Sequence, residues 1–363
     1  MQALFLVGSF GRGEGSVLIS RNRVTILSDY DFLLISILPG FAPRPSFLEE
    51  LRKQYSVEVG AIRIWRPLLA LTRWGKRGYW YDAKFASKLL YGDLRVLDVI
   101  PVVDGNDLSD CIGRVSRGLA ELLGVFDPRF HTSELKEDER LHLIFEGVGA
   151  TLRCGDSLLI LNGQYHYSSR ERGKRFARLV ETGSVPIPGL AEAYRKASEF
   201  KLEPNLAMYV QPVRFWFEAK QAALHTMTYL LHGMIAEKTT DSPVVRGSVG
   251  NLPGFSELLL FKSKQNLLDY AAFNWNAIVK LKSIKGMMST RKSVSDFVRS
   301  ALFNLGMSIN ENGEIRKDLL DKSLEILRQI YPVSGIVEEE TDLFQKWRLT
   351  RDALILAWRM SRK

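Results

Sequence analysis

At 363 residues the chain is long enough for about two domains, and its 46% hydrophobic composition supplies material for substantial cores, which excludes an intrinsically disordered tail. Lys and Arg number 50 against 41 Asp and Glu, a formal charge of +9 that favours anionic partners such as nucleotides, nucleic acid or acidic sugars. The first 105 residues hold 14 basic and 10 acidic side chains, so the excess is spread along the chain and a histone-like basic arm is excluded. The two cysteines, Cys111 and Cys154, are too few for a disulfide framework and form no Cys-x-x-Cys pair, which makes a reducing cytoplasm the expected location.

Residues 1–7 lack the basic start of a secretory signal, and 3–7 are an apolar run of strand length ending at Gly8. Short β-branched runs at 17–20 and 24–27 flank Arg21, Asn22 and Arg23 and suggest an inserted hairpin. A second buried strand is expected over 31–38. Ser46, with Glu49 three residues on, suggests a capping box opening a helix to Tyr55. In the next expected strand Val57, Val59 and Ala61 alternate with Glu58 and Gly60, so Glu58 points away from the valines. Residues 81–90 read as a helix with Gly92 in a C-cap role.

From about residue 106 the pattern becomes helical, with segments near 108–124, 138–153, 168–182, 189–199, 211–237, 265–285, 292–306, 315–331 and 341–361. The helix at 211–237 is apolar nearly all round and is expected in a domain core, and 239–255 is the clearest loop. No run approaches the ~20 apolar residues that span a bilayer, since 219–235 is interrupted by Lys220, His225 and His232. The expected fold class is therefore α+β: a mixed-sheet domain over 1–105 followed by a larger all-α domain over 106–363.

The chemistry concentrates in Gly8-Ser9-Phe10-Gly11-Arg12-Gly13-Glu14 and Ser28-Asp29-Tyr30-Asp31-Phe32. A Gly-Ser pair directly after a buried strand offers backbone N–H groups and a hydroxyl to a phosphate without side-chain obstruction. Asp29 and Asp31, two apart at a strand start, project from one face while Tyr30 and Phe32 take the other. Their mutual repulsion is relieved by a hard divalent cation, with Mg²⁺ first among them, and two such ions can hold a triphosphate and neutralise a leaving pyrophosphate. Arg12, the hairpin arginines Arg21 and Arg23, and Lys84 with Lys88, four apart on the expected helix, are candidate phosphate contacts. The basic run Arg170, Arg172, Lys174, Arg175 and Arg178 is a solvated face or the wall of an anionic acceptor's path. No P-loop and no dinucleotide-binding fingerprint occurs.

On these residues the chain resembles the nucleotidyltransferase superfamily that includes DNA polymerase β, the minimal nucleotidyltransferases and the aminoglycoside adenylyltransferases. The resemblance covers about residues 4–95 and rests on Gly8-Ser9, a downstream glycine, and Ser28-Asp29-Tyr30-Asp31 followed by apolar residues. It implies nucleotide-phosphate contacts at Gly8 and Ser9, a metal-binding pair at Asp29 and Asp31, and a third carboxylate at Glu58, which would complete the metal cage or act as general base. Asp82 is the alternative third carboxylate. The implied reaction is Mg²⁺-dependent transfer of a nucleoside monophosphate from a nucleoside triphosphate to an acceptor hydroxyl of a sugar, small metabolite, protein or RNA end.

A polycationic aminoglycoside acceptor is disfavoured by the positive charge of the helical half. The alternatives are a noncatalytic nucleotide-sensing or interaction module on the same fold and a template-independent RNA nucleotidyltransferase. The even spread of basic charge and the lack of an RNA-binding module weigh against the latter. No membrane partner is expected.

Overall fold

The computed structural model describes residues 2–20, 23–37, 45–55, 57–65, 78–100, 108–185, 187–240, 290–329 and 342–361. It is of the α+β class, a small N-terminal sheet followed by mostly helical chain. The compact units do not divide at residue 105. One comprises Met1–Asp110 with Gly155–Met208, the other Cys111–Cys154 with Tyr209–Lys363.

In the first unit the main sheet has the order β5-β4-β1-β6, built from β1 (Ala3–Val7), β4 (Tyr30–Ser36), β5 (Val59–Trp65) and β6 (Lys88–Gly92). β1 runs antiparallel to both neighbours, and β4 and β5 are parallel. A parallel pair needs a crossover, and α2 (Pro45–Tyr55) lies between them in sequence. A separate hairpin of β2 (Val17–Ser20) and β3 (Arg23–Ile26) follows the one-turn helix α1 (Gly8–Gly11), as the β-branched runs suggested.

One face of the main sheet is the core. Ala3, Phe5, Val7, Leu33, Ile35 and Ile64 alternate with more exposed neighbours and pack with Trp80 and Ala83 of α3 (Gly78–Ala86) and with Val96, Leu97 and Ile100. In the β1–β4 register Ala3, Phe5 and Val7 stand opposite Ile35, Leu33 and Asp31. The side-chain row that makes the core therefore continues, at its open end, into a carboxylate.

Two local expectations are corrected. Ser46 is not an N-cap, because α2 already begins at Pro45, a residue suited to the first helical position. The helix expected over 81–90 stops at Ala86, and Lys88–Gly92 instead pairs with β1 as an edge strand. Gly92 closes that strand at φ +92°, and a Cβ there would lie 2.1 Å from the Gln2 carbonyl oxygen.

The first unit also contains the helices α6 (Ser169–Glu181) and α7 (Leu190–Leu202). α4 (Leu108–Val125) and α5 (Glu137–Leu161) each have residues in both units. The second unit adds α8 (Pro212–Thr240), α9 (Thr290–Ser308), α10 (Lys317–Arg328) and α11 (Leu343–Ser361). Its core contains Phe215, Trp216, Phe217, Leu224 and Met227 of α8, as the all-round apolar character of 211–237 suggested, and Trp347, Leu354 and Trp358 of α11. The expected helix at 265–285 and nearly all of the 239–255 loop lie outside the described residues. Cys111 and Cys154 are buried and are not joined in a disulfide, and among the described residues no helix is long and apolar enough to cross a membrane.

Lys220 is fully enclosed in this second core. Its ammonium donates to the Ile309 carbonyl and lies 4.7 Å from the Phe217 ring centroid and 5.6 Å from that of Trp216. Burial lowers its pKa to about 7, while an unfolded lysine titrates near ~10.4. Between those values the unfolded chain binds more protons, so folding stability rises with pH over that window. Urea unfolding at pH 6.5, 8 and 9.5 is expected to show this rise, with a smaller slope in Lys220→Met; an unchanged slope would refute the assignment.

Candidate functional site

β1 delivers the chain into Gly8 at φ +66°, and the turn Gly8–Gly11 follows at once. On the neighbouring strand Asp31 stands opposite Val7 on one side and Gly60 on the other. Its carboxylate occupies the space that side chains at both flanking glycines would fill. A Cβ on Gly8 would lie 2.8 Å from Asp31 Oδ2, and a Cβ on Gly60 would lie 2.6 Å from Oδ1. On the reverse side, Tyr30 stacks on Phe10 with centroids 4.1 Å apart and planes within 3°. This stack ties the glycine turn to the first residue of β4.

Asp29 lies just before β4 and is exposed. Its neighbour Ser28 is buried, and the Ser28 hydroxyl oxygen accepts from the Ser16 amide at 2.9 Å and from Lys201 Nζ at 2.8 Å. Lys201, from the last turn of α7, also receives the Ser16 hydroxyl at its carbonyl, 2.7 Å. One helical lysine thus pins both ends of the β2–β3 hairpin and places an ammonium near Asp29. Burial, together with the Arg12 and Arg172 charges and against the pull of Asp29 and Glu14, lowers its pKa to about 8.

Glu58 does not join the two aspartates. β5 begins at Val59, so Glu58 contributes only its carbonyl, which accepts from the Tyr30 amide at 2.9 Å. Its side chain is 71% exposed and pairs with Arg52 of α2 at 3.3 Å. Among the described residues no group of three or more His, Cys, Asp or Glu side chains is gathered as a metal-ligand set.

The basic candidates are redistributed too. Lys88 is exposed on β6, where it pairs with Leu6 and so takes the sheet face opposite to Asp31. Lys84 Nζ is spent on backbone, donating to the carbonyls of Ile100 at 2.7 Å and Asp98 at 3.3 Å. With a strand starting at Lys88, the two lysines no longer share a helical face. The side chains of Arg21 and Arg23 lie outside the described part.

Arg12 is 9% exposed and already committed: Nη1 lies 3.0 Å from Asp82 Oδ2 and Nε lies 3.4 Å from Glu14. Its Nη2 donates to the Ser9 hydroxyl at 3.4 Å. Arg12 therefore acts on the turn through Ser9. Asp82, the alternative third carboxylate, is committed in the same way, since besides Arg12 it accepts from the Tyr165 hydroxyl at 3.1 Å.

From Tyr165 the polar chain continues through Arg172, whose Nη1 donates to the Tyr165 hydroxyl at 2.6 Å and lies 3.3 Å from Asp156 Oδ2. The Tyr194 hydroxyl donates to Asp156 Oδ1 at 2.8 Å. Burial opposes the Arg172 charge, but Asp156, Tyr165, Tyr194 and Asp82 outweigh it and raise its pKa. Glu14 closes the other end by accepting from the Ser168 hydroxyl and the Ser169 amide, both at 2.9 Å, at the start of α6. Burial works against its ionisation, but the Ser169 and Ser168 hydrogen bonds and Arg12 together lower its pKa.

The sequence reading missed Lys201, Asp156, Tyr165 and Tyr194. Only the Ser168-x-x-Glu171 cap at α6 left a local trace, with the Ser168 hydroxyl accepting from the Glu171 amide at 3.4 Å. No protein-family model matches the chain, and comparisons with curated proteins and with solved structures return no significant match.

Two outcomes follow from this geometry. Arg172→Met strands the buried Asp156 carboxylate and should destabilise the protein by about 3–5 kcal/mol in urea unfolding; a change under ~1 kcal/mol would show that the network carries no weight. Because the Glu14 pKa is lowered, its contribution is present above about pH 4.5 and disappears as pH falls through the folded value. Glu14→Gln should therefore lose roughly 1–3 kcal/mol at pH 7, a deficit that shrinks as the pH is lowered below about 4.5.

Proposed function

We propose that the chain is a Mg²⁺-dependent nucleotidyltransferase of the polymerase β type, working at Asp31 and the Gly8-Ser9 turn. The observation that carries this reading is the Asp31 carboxylate held between Gly8 and Gly60 at the exit of β1. An ordinary structural aspartate has no need of a glycine on each side, one in β5 and one in the turn after β1. The order strand, Gly-Ser turn, hairpin, Asp-x-Asp strand and parallel third strand supports it further.

The donor set suits magnesium. Asp29 and Asp31 offer hard carboxylate oxygens, and the ion habitually takes its remaining ligands from water and substrate phosphates, so two protein carboxylates suffice to hold it. When bound, it supplies the positive charge that gathers a triphosphate and offsets charge on departing pyrophosphate. The chain's own groups do the remaining work. Backbone N–H groups of the Gly8-Ser9 turn and the Ser9 hydroxyl orient phosphate oxygens, and Arg12 fixes the Ser9 rotamer. Lys201 holds Ser28, and through it the approach of Asp29 to β4. The acceptor hydroxyl oxygen attacks the α-phosphorus and gives its proton to solvent, the bond to the α–β bridging oxygen breaks, and pyrophosphate leaves with that electron pair.

A second reading, a noncatalytic nucleotide-binding module, is favoured by the Glu58–Arg52 ion pair, which leaves the acceptor hydroxyl without the general base that the sequence suggested. The two readings separate in one assay. Native protein, α-labelled nucleoside triphosphates and Mg²⁺ are incubated with candidate sugars, metabolites, proteins and RNA, beside the variant carrying Asp29→Ala and Asp31→Ala. Transfer that requires Mg²⁺ and falls at least about a hundredfold in the variant is expected. Transfer that survives the double change would refute the site, and triphosphate binding without transfer would favour the module.

A further inference from the structure

The first turn of α3 carries Tyr79, whose ring packs against the sheet core and meets Trp80 edge-on at 5.0 Å. Its hydroxyl is buried and has no hydrogen-bond partner among the described residues. That is an expensive arrangement, because a buried hydroxyl left unpaired forfeits the full desolvation penalty, and native structures keep few such groups without a reason. The hydroxyl is not isolated electrostatically. Burial and the charge of Asp31 both raise its pKa, so it stays protonated and is available as a donor throughout the physiological range. The sheet register places Asp31 on the same core-facing row against which α3 packs, which explains how a residue 48 positions away in sequence senses it.

A buried donor that senses the carboxylate in a glycine-cleared slot, and has no acceptor among the described residues, is open to an oxygen acceptor on a ligand. Resting on the nucleotidyltransferase reading above, we propose that the Tyr79 hydroxyl is a substrate contact of the Asp31 site, donating a hydrogen bond to a phosphate oxygen of the bound nucleoside triphosphate. The acceptor is an oxyanion and not a neutral carbonyl, because the ligand that Asp31 assembles through a cation presents phosphate oxygens. The same hydroxyl costs desolvation and gains no hydrogen bond from the described residues in the unliganded protein, so removing it separates binding from stability.

The test compares native protein with Tyr79→Phe, which keeps the packed ring, and Asp31→Asn. Thermal unfolding and calorimetric titration are run with Mg²⁺ alone, with Mg²⁺ and inorganic tripolyphosphate, and with Mg²⁺ and each of the four common nucleoside triphosphates. Tyr79→Phe is expected to unfold at or above the native temperature without ligand, to bind tripolyphosphate and the preferred nucleotide roughly tenfold more weakly, and to respond to Mg²⁺ alone as the native protein does. Equal affinity for the phosphates in both proteins would overturn the proposal while leaving the nucleotidyltransferase reading intact. A marked loss of unliganded stability would overturn it as well, by showing that the hydroxyl serves the fold. An equal weakening toward Mg²⁺ alone would also overturn it, by assigning the hydroxyl to the ion. Native protein that responds to none of these ligands, with Asp31→Asn indistinguishable from it, would remove both this assignment and the reading beneath it.

Discussion

A packed β-sheet face ordinarily ends in apolar side chains, and here the row formed by Ala3, Phe5 and Val7 with Ile35 and Leu33 ends in Asp31. Placing a carboxylate at the margin of that core demands space and compensation. Gly8 and Gly60 supply the space, since a Cβ at either would overlap a carboxylate oxygen. The left-handed backbone at Gly8 turns the chain away immediately after β1, so the same residue that clears the slot also starts the Gly8–Gly11 turn beside it. Steric clearance and turn direction are thus two consequences of one missing side chain.

Around this slot the first unit is braced by buried polar pairs. Glu14, Arg12, Asp82, Tyr165, Arg172, Asp156 and Tyr194 form a continuous chain from the glycine turn through α3 to α6 and α7. Such networks are costly to break and poor at adding net stability, and their value lies in fixing geometry. Arg12 passes that rigidity directly to Ser9, and Lys201 passes it to Ser28. The helical segment 155–208 therefore belongs physically with the sheet, which is why the chain divides where it does and not at residue 105.

The readable part of the site was local. Strand 3–7, the glycine turn, the hairpin and the Asp-x-Asp strand are specified by short-range alternation and turn chemistry, and their order fixes which residues stand near Asp31. Glu58 shows the limit. It shares parity with Gly60, which does face Asp31, but β5 starts one residue later and the side chain is free to turn toward Arg52. Residues 81–90 show another limit, since a sequence with helical composition is recruited past Ala86 as a strand by pairing with β1, a contact made more than 80 residues away. Lys201, Tyr165 and Asp156 carry no local mark because their partners lie 83 to 185 positions distant or are met only through another helix.

Divalent-ion binding at Asp31 is the most direct check on this description. Mn²⁺ titration followed by electron paramagnetic resonance, with and without a nonhydrolysable triphosphate, reads it without knowledge of the acceptor. The expected result is Mn²⁺ binding that tightens when the triphosphate is added and weakens at least about tenfold in Asp31→Asn. Native protein that takes up no Mn²⁺ with triphosphate present, or an Asp31→Asn variant that binds it equally well, would contradict the assignment.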